Sequence, residues 1–320
     1  MIGVLYVHLY DTNPSLENSR VNLFFVVSGY LITLSLLHAR NRRTTGRVLN
    51  FYARRLLRLM PPLLIALFVA CLYDRSLVQP SILWHIGQLS NVYFYISNSW
   101  EPWVTAHLWS LNVLEQYYLF WPLLILYVPI RLTFLIVVGL CIAPFFLRAS
   151  LPELGPNVMA VRVLPFYVFD AIAAGALIAL LEFQRLRLFE VIGRPWVSIV
   201  AAVVVAATIL FERYVGASEL VRLASIAGIA CIVTGASRGY SGAIGSFLSS
   251  RPMSYLGTIS YGMYIYHIFI WWIIADRMPA LYVTGWLPFV VVSSITILVS
   301  AVSWHWLEAP INRLKVCFPT

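Results

Sequence analysis

The sequence predicts an all-α integral membrane protein, a bundle of about ten transmembrane helices. Three observations carry this. Of 320 residues, 61% are hydrophobic and only 11% charged, where a soluble domain has roughly 45–50% and about 25%. The mean hydropathy is +0.82. The 22 basic and 13 acidic residues are too few to clothe such a chain in charge, so lipid must cover what water does not. The apolar residues also gather in runs of about bilayer length, roughly 20 residues each.

Apolar stretches bounded by charges and helix breakers place spans at 21–37, 56–73, 109–129, 131–149, 160–181, 195–211, 219–236, 257–275 and 286–307. The first follows the polar segment that ends at Arg20, and the second opens after Arg54 and Arg55 and closes at Asp74. Pro129 and Arg131 divide the third from the fourth. Glu182, Glu212, Arg238, Asp276 and Glu308 close the later ones. Of a tenth, first span only Met1 to Tyr10 stand before Asp11-Thr12-Asn13-Pro14. At about 1.5 Å per residue this stretch falls short of a hydrocarbon core of about 30 Å, so the first helix is expected to be truncated.

The net charge of +9 reports topology rather than nucleic-acid binding. Lys and Arg stay on the cytoplasmic side. Arg40, Arg42, Arg43, Arg47, Arg54, Arg55 and Arg58 fall between the first two long spans, and alternate loops continue the bias through Lys315. That assigns 15 of 22 basic residues to the inside. The opposite side receives Arg20, Arg75, Arg148, Arg162, Arg213, Arg222, Arg277 and the longest loop, 74–107. A single membrane-embedded domain over 1–320 is expected, without repeats, an appended soluble domain or a cleaved signal peptide. Cys71, Cys141, Cys231 and Cys317 are widely spaced, so neither a disulfide framework nor a metal site is expected.

Ionisable groups inside spans are costly and mark candidate sites. They are His8, Glu115, Asp170, His267, His305 and Glu308, and interhelical hydrogen bonding is the structural alternative for each. His8 lies near the outer boundary and is suited to removing a hydroxyl proton at neutral pH, or else is an interfacial histidine bonded to a loop carbonyl. His107 stands at the outer mouth with Glu115 two turns deeper, and residues 107, 111, 115 and 118 share a face. Glu115 takes either a catalytic partner or a structural one such as Tyr118. Ser260, Tyr264 and His267 form one polar stripe, read first as a hydrogen-bonded seam. His305 and Glu308 are spaced to pair with each other. Arg54, Arg55 and Arg58 are topology signals and lipid-headgroup contacts, or a site for the phosphates of a nucleotide-like cofactor.

Five segments, in order, resemble the acyltransferase-3 family of membrane acyltransferases. Asn22 to Ile32 is similar to the family's FFxxSGxLI, Phe51 to Pro61 to RRxxRxxP, and His107 to Phe120, with Trp109 and Ser110, to HxWSLxxExxxY. Leu256 to His267 is similar to LGxISYxxYxxH, and Trp306 to Pro310 to the closing ExP around Glu308. The resemblance implies a bacterial inner-membrane, multi-pass O-acyltransferase with about ten helices. It implies acetyl-CoA or another acyl-CoA as donor and a glycan or lipid-linked saccharide hydroxyl as acceptor, in polysaccharide, lipopolysaccharide or peptidoglycan. It assigns catalysis to His8, with Glu115 orienting it, and donor binding to Arg54, Arg55 and Arg58. It leaves His107, Trp109, Ser110, Tyr118, Ser260, Tyr264, His267 and Glu308 to substrate binding or support. Three departures stand out: no arginine precedes His8, Asn22 replaces a common aspartate, and Leu114 replaces the first of two glutamates. The first implies either a late start or a truncated, inactive relative, and the other two remove the carboxylate that a role at those positions would need. From a different class, a multi-span transporter would use the same intramembrane carboxylates and histidines for ion coupling.

Overall fold

The computed structural model describes residues 1–11, 14–40, 46–150, 163–216 and 218–319. Every regular element among them is helical. The main helices are α1 (Ile2–Leu9), α2 (Pro14–Arg40), α3 (Arg47–Tyr73), α4 (Leu108–Tyr127), α5 (Ile130–Ala149), α6 (Pro165–Phe183), α7 (Pro195–Tyr214), α8 (Glu219–Arg238), α9 (Arg251–Arg277) and α10 (Trp286–Ser303). Eight segments among the described residues are long and apolar enough to cross a bilayer, against an expectation of about ten. They make the chain a multi-pass membrane protein. Helix α4 has span length but is diluted by Ser110, Asn112, Glu115 and Gln116, and α1 has only 8 residues. The first residues of the expected span 160–181, and Arg42, Arg43 and Arg162, lie outside the described residues.

Several helices start earlier than their apolar runs. Helix α2 begins at Pro14, whose fixed φ suits a first turn, and runs through Glu17 and Arg20, which pair at 3.6 Å. Helix α3 begins at Arg47, so Arg54, Arg55 and Arg58 ride on the helix rather than before it. Helix α9 begins at Arg251 with Pro252 in its first turn. Polar turns cost nothing to extend once they have left the hydrocarbon, because water and headgroups receive their side chains.

The chain forms two compact units that interleave along the sequence. The first comprises Met1–Thr12, Thr44–Asn112 and Phe247–Thr320, and the second comprises Asn13–Arg43 and Val113–Ser246.

The second unit is organised around α2 and α6. Small residues permit their approach: a Cβ on Gly29 would stand 2.0 Å from the Ile172 carbonyl oxygen, and one on Gly175 2.0 Å from that of Val26. Trp121 Nε1 donates to Thr33 Oγ1 at 2.7 Å, and Tyr117 stacks on Trp121 at 4.2 Å. At one end of this unit, buried Asp170 accepts from Arg148 at 2.8 Å and from Arg222 at 2.9 Å. Arg148 also pairs with Glu219 at 2.7 Å, so two cations meet two carboxylates and neither buried charge stands alone.

The first unit packs α1, α3, α9 and α10 with the segment 74–107. Val4 of α1, Leu63 and Leu67 of α3, and Ile265, Phe269 and Trp272 of α9 share one apolar cluster with Val104 and Leu108. Leu5 and Leu9 join Met263 and Val292 in another. Helix α1 is held at its Leu9 end by the Gly285 N–H bonded to the Leu9 carbonyl at 2.9 Å and by Tyr10 against Trp286. The segment 74–107 folds around His85, fully buried between Ser81 (Nε2 to Oγ, 2.9 Å) and Ser90 (Nδ1 to Oγ, 2.6 Å). That burial pushes the His85 pKa down to about 4, so the ring is neutral. Asn112 ties the segment to the start of α4, accepting from the Ser90 N–H and donating to Gln88.

Candidate active site

Helix α9 carries Tyr264 and His267 on one face, as the i, i+3 spacing dictates. The His267 ring lies 5.2 Å from that of His8 on α1 and 5.1 Å from that of His107, which precedes α4. Three imidazoles from distant parts of the chain thus form one row. Carbonyl oxygens only accept, which settles the protons of two of them. His267 Nδ1–H donates to the Tyr264 carbonyl at 2.8 Å, and His107 Nε2–H donates to the Ile265 carbonyl at 3.3 Å. In the neutral rings, His267 Nε2 and His107 Nδ1 are therefore the basic nitrogens.

The Tyr264 hydroxyl donates to the His107 carbonyl, and Ser110 Oγ, 2.7 Å away, donates to it in turn. His107, Ser110 and Tyr264 are buried, His267 completely, while His8 is half-buried. Phe269 closes the apolar side against His107 at 5.6 Å. Among the described residues no three His, Cys, Asp or Glu side chains converge with metal-ligand geometry.

Not every residue singled out from the sequence joins this row. Ser260 instead bonds back to the Gly257 carbonyl of its own helix at 2.7 Å. Trp109 is half-buried on the first turn of α4. Glu115 and Tyr118 belong to the second unit, where Tyr118 is buried beside Tyr117. His305 and Glu308 do not face each other. A π-helical turn over Trp304–Glu308 breaks the i, i+3 register, sending His305 Nε2 to the Tyr255 hydroxyl (3.2 Å) and Glu308 inward to accept from Ser303 at 2.9 Å.

At the Arg47 end of α3 the basic residues gather. Arg54 donates to the Phe318 carbonyl at 3.3 Å and Asn50 to that of Pro319 at 2.8 Å, drawing the chain after α10 onto α3. This brings Lys315 into the electrostatic field of Arg58, Arg54 and Arg55, and Glu308 into that of Arg58. Sequence reading counted Lys315 only as a topology charge. Its position just past the ExP segment was the available signal.

A family model described as an acyltransferase domain, that of the acyltransferase-3 family, matches residues 1–305. The chain belongs to the acyltransferase-3 family. Its similarity to the peptidoglycan O-acetyltransferase OatA of Listeria monocytogenes is 29% identity over 92% of this chain and 51% of that protein. To the O-acetyltransferase OatA of Staphylococcus aureus it is 26% over 98% of this chain and 55% of that protein. The chain thus spans about half the length of the curated relatives it matches. No solved structure matches it. The acyltransferase-3 match takes in His8, Arg54, Arg55, Arg58, His107 and His267, whereas Glu308 and Lys315 lie beyond it.

Proposed function

We propose that this acyltransferase-3 protein is a membrane O-acetyltransferase that moves an acetyl group from acetyl-CoA to a hydroxyl of peptidoglycan in the bacterial cytoplasmic membrane, with both units acting as one enzyme. The observation that carries the reading is the row His8, His267, His107. Two of its rings have their protons fixed by carbonyls, and the half-buried His8 stands at its end. His8 takes the proton of the acceptor hydroxyl as its oxygen attacks the thioester carbonyl. The carbon–sulfur bond then breaks, and the departing thiolate takes up the proton that His8 collected, which returns the ring to its neutral form.

The cation cluster suits the donor. Guanidinium groups pair with phosphate oxygens two at a time, and Arg54, Arg55, Arg58 and Lys315 offer several such positions on the side the charge bias makes cytoplasmic. Peptidoglycan as acceptor rests on the printed activity of the Listeria relative.

The test is expression of the chain and of its His8→Ala variant in a strain lacking the gene, with ester-linked acetyl groups on peptidoglycan measured by mass spectrometry. Acetylation is expected to fall about a hundredfold or more in the variant. Equal acetylation by both refutes the base. No acetylation by either, with solute uptake that depends on the chain, makes it a transporter.

A further inference from the structure

Within the first unit, α3, α9 and α10 leave a cavity of about 260 Å³. Its floor is Ala66, Tyr266 and Phe269, all buried. Its rim is Ile65, Val69 and Val302, which are 42%, 42% and 52% exposed. Each of these residues lies inside a candidate span. The polar groups in its wall are already satisfied: the Tyr266 hydroxyl and Ser303 Oγ are 2.7 Å apart, and Ser303 donates onward to Glu308.

Three features decide what fills it. The open side faces the hydrocarbon depth of the bilayer, where water has nothing to bond in an apolar wall. The volume is below the roughly 300 Å³ at which sites for whole small molecules begin, so it takes part of a lipid, and its apolar wall suits a slender chain rather than a polar headgroup. The small side chain of Ala66 keeps the floor recessed between larger neighbours, and an unfilled recess there forfeits its dispersion contacts. We propose that this cleft seats one alkyl chain of a bilayer phospholipid. Because Phe269 forms the floor and also packs on His107, the chain braces the wall behind the histidine row. The inference does not depend on the reaction proposed above.

The protein in phosphatidylglycerol vesicles whose acyl chains carry a terminal diazirine is illuminated, and adducts are mapped by peptide mass spectrometry. Phe68, 63% exposed on α3 and outside the cleft, reports ordinary lipid contact. Adducts at Val69 and Ile65 are expected to exceed those at Phe68 by about tenfold. Ala66→Phe should abolish that excess and leave Phe68 labelling unchanged. Equal labelling of Val69 and Phe68, or an excess that survives Ala66→Phe, overturns the proposal. If Ala66→Phe does not fold, Val302→Trp fills the cleft from its rim, and an excess persisting there is equally fatal.

Discussion

His107 and His267 stand ring to ring, 5.1 Å between centroids, and both are oriented by carbonyls of one turn of α9, those of Ile265 and Tyr264. A shift of that turn moves two bases together. Replacing His267 by Gln should therefore lower kcat by about a hundredfold while leaving KM for the donor nearly unchanged, since the cations lie at the other end of α3. Initial rates over a range of acetyl-CoA concentrations give both constants. A rise in KM with kcat intact would move His267 out of the reaction.

The cation cluster answers in the opposite sense. Arg58→Ala and Lys315→Ala are each expected to raise donor KM about tenfold, the loss of one charge-assisted hydrogen bond. Added salt should narrow the gap between wild type and variant, because these side chains are half-buried or exposed and are screened. A salt-independent defect would point to lost packing.

Asp170 tests the second unit. In Asp170→Asn the buried carboxylate between Arg148 and Arg222 becomes neutral, so half-buried Arg222 loses its ion pair and buried Arg148 keeps only the one with Glu219. The loss should be about 3–5 kcal/mol, read as a lowered unfolding midpoint in detergent. A midpoint equal to wild type would mean that the cluster contributes nothing net.

The segment 74–107 should weaken in acid. His85 is held neutral with a pKa of about 4, below the 6.5 of an unhindered imidazole. The unfolded chain binds a proton there before the folded one does, so stability falls as pH drops from about 6.5 to about 4, by up to about 3 kcal/mol. The difference between wild-type and His85→Gln unfolding midpoints, measured from pH 7 to pH 4, isolates this group. A difference that stays constant with pH contradicts it.

Helix positions are legible in the sequence because lipid demands uninterrupted apolar runs: the nine full-length runs each overlap a long helix among the described residues, eight of them in segments apolar enough to cross a bilayer. Helix starts are less so: nothing in the apolar pattern of α3 says that it begins at Arg47. The stripe Ser260, Tyr264, His267 is readable from spacing, yet spacing does not say that Ser260 turns back to Gly257. That His8 meets His267 depends on how α1 packs on α9, a long-range fact with no local signature. The π-helical turn is likewise silent until Glu308 is seen pointing inward. Asp170 had a clue, since Arg148 and Arg222 defy the positive-inside bias and so needed a reason to be where they are.

The order of synthesis follows from the interleaving of the two units. Helix α1 leaves the ribosome before the rest of its unit, and the helices that complete its surroundings, α9 and α10, are made only after the whole of α4 to α8. His8 therefore waits in the membrane without His267 for most of translation, while the second unit gathers its helices. A ribosome that stalls before Arg251 releases a product with Arg54, Arg55 and Arg58 but no completed row of imidazoles. The row of three imidazoles comes into being only once α9 has been made.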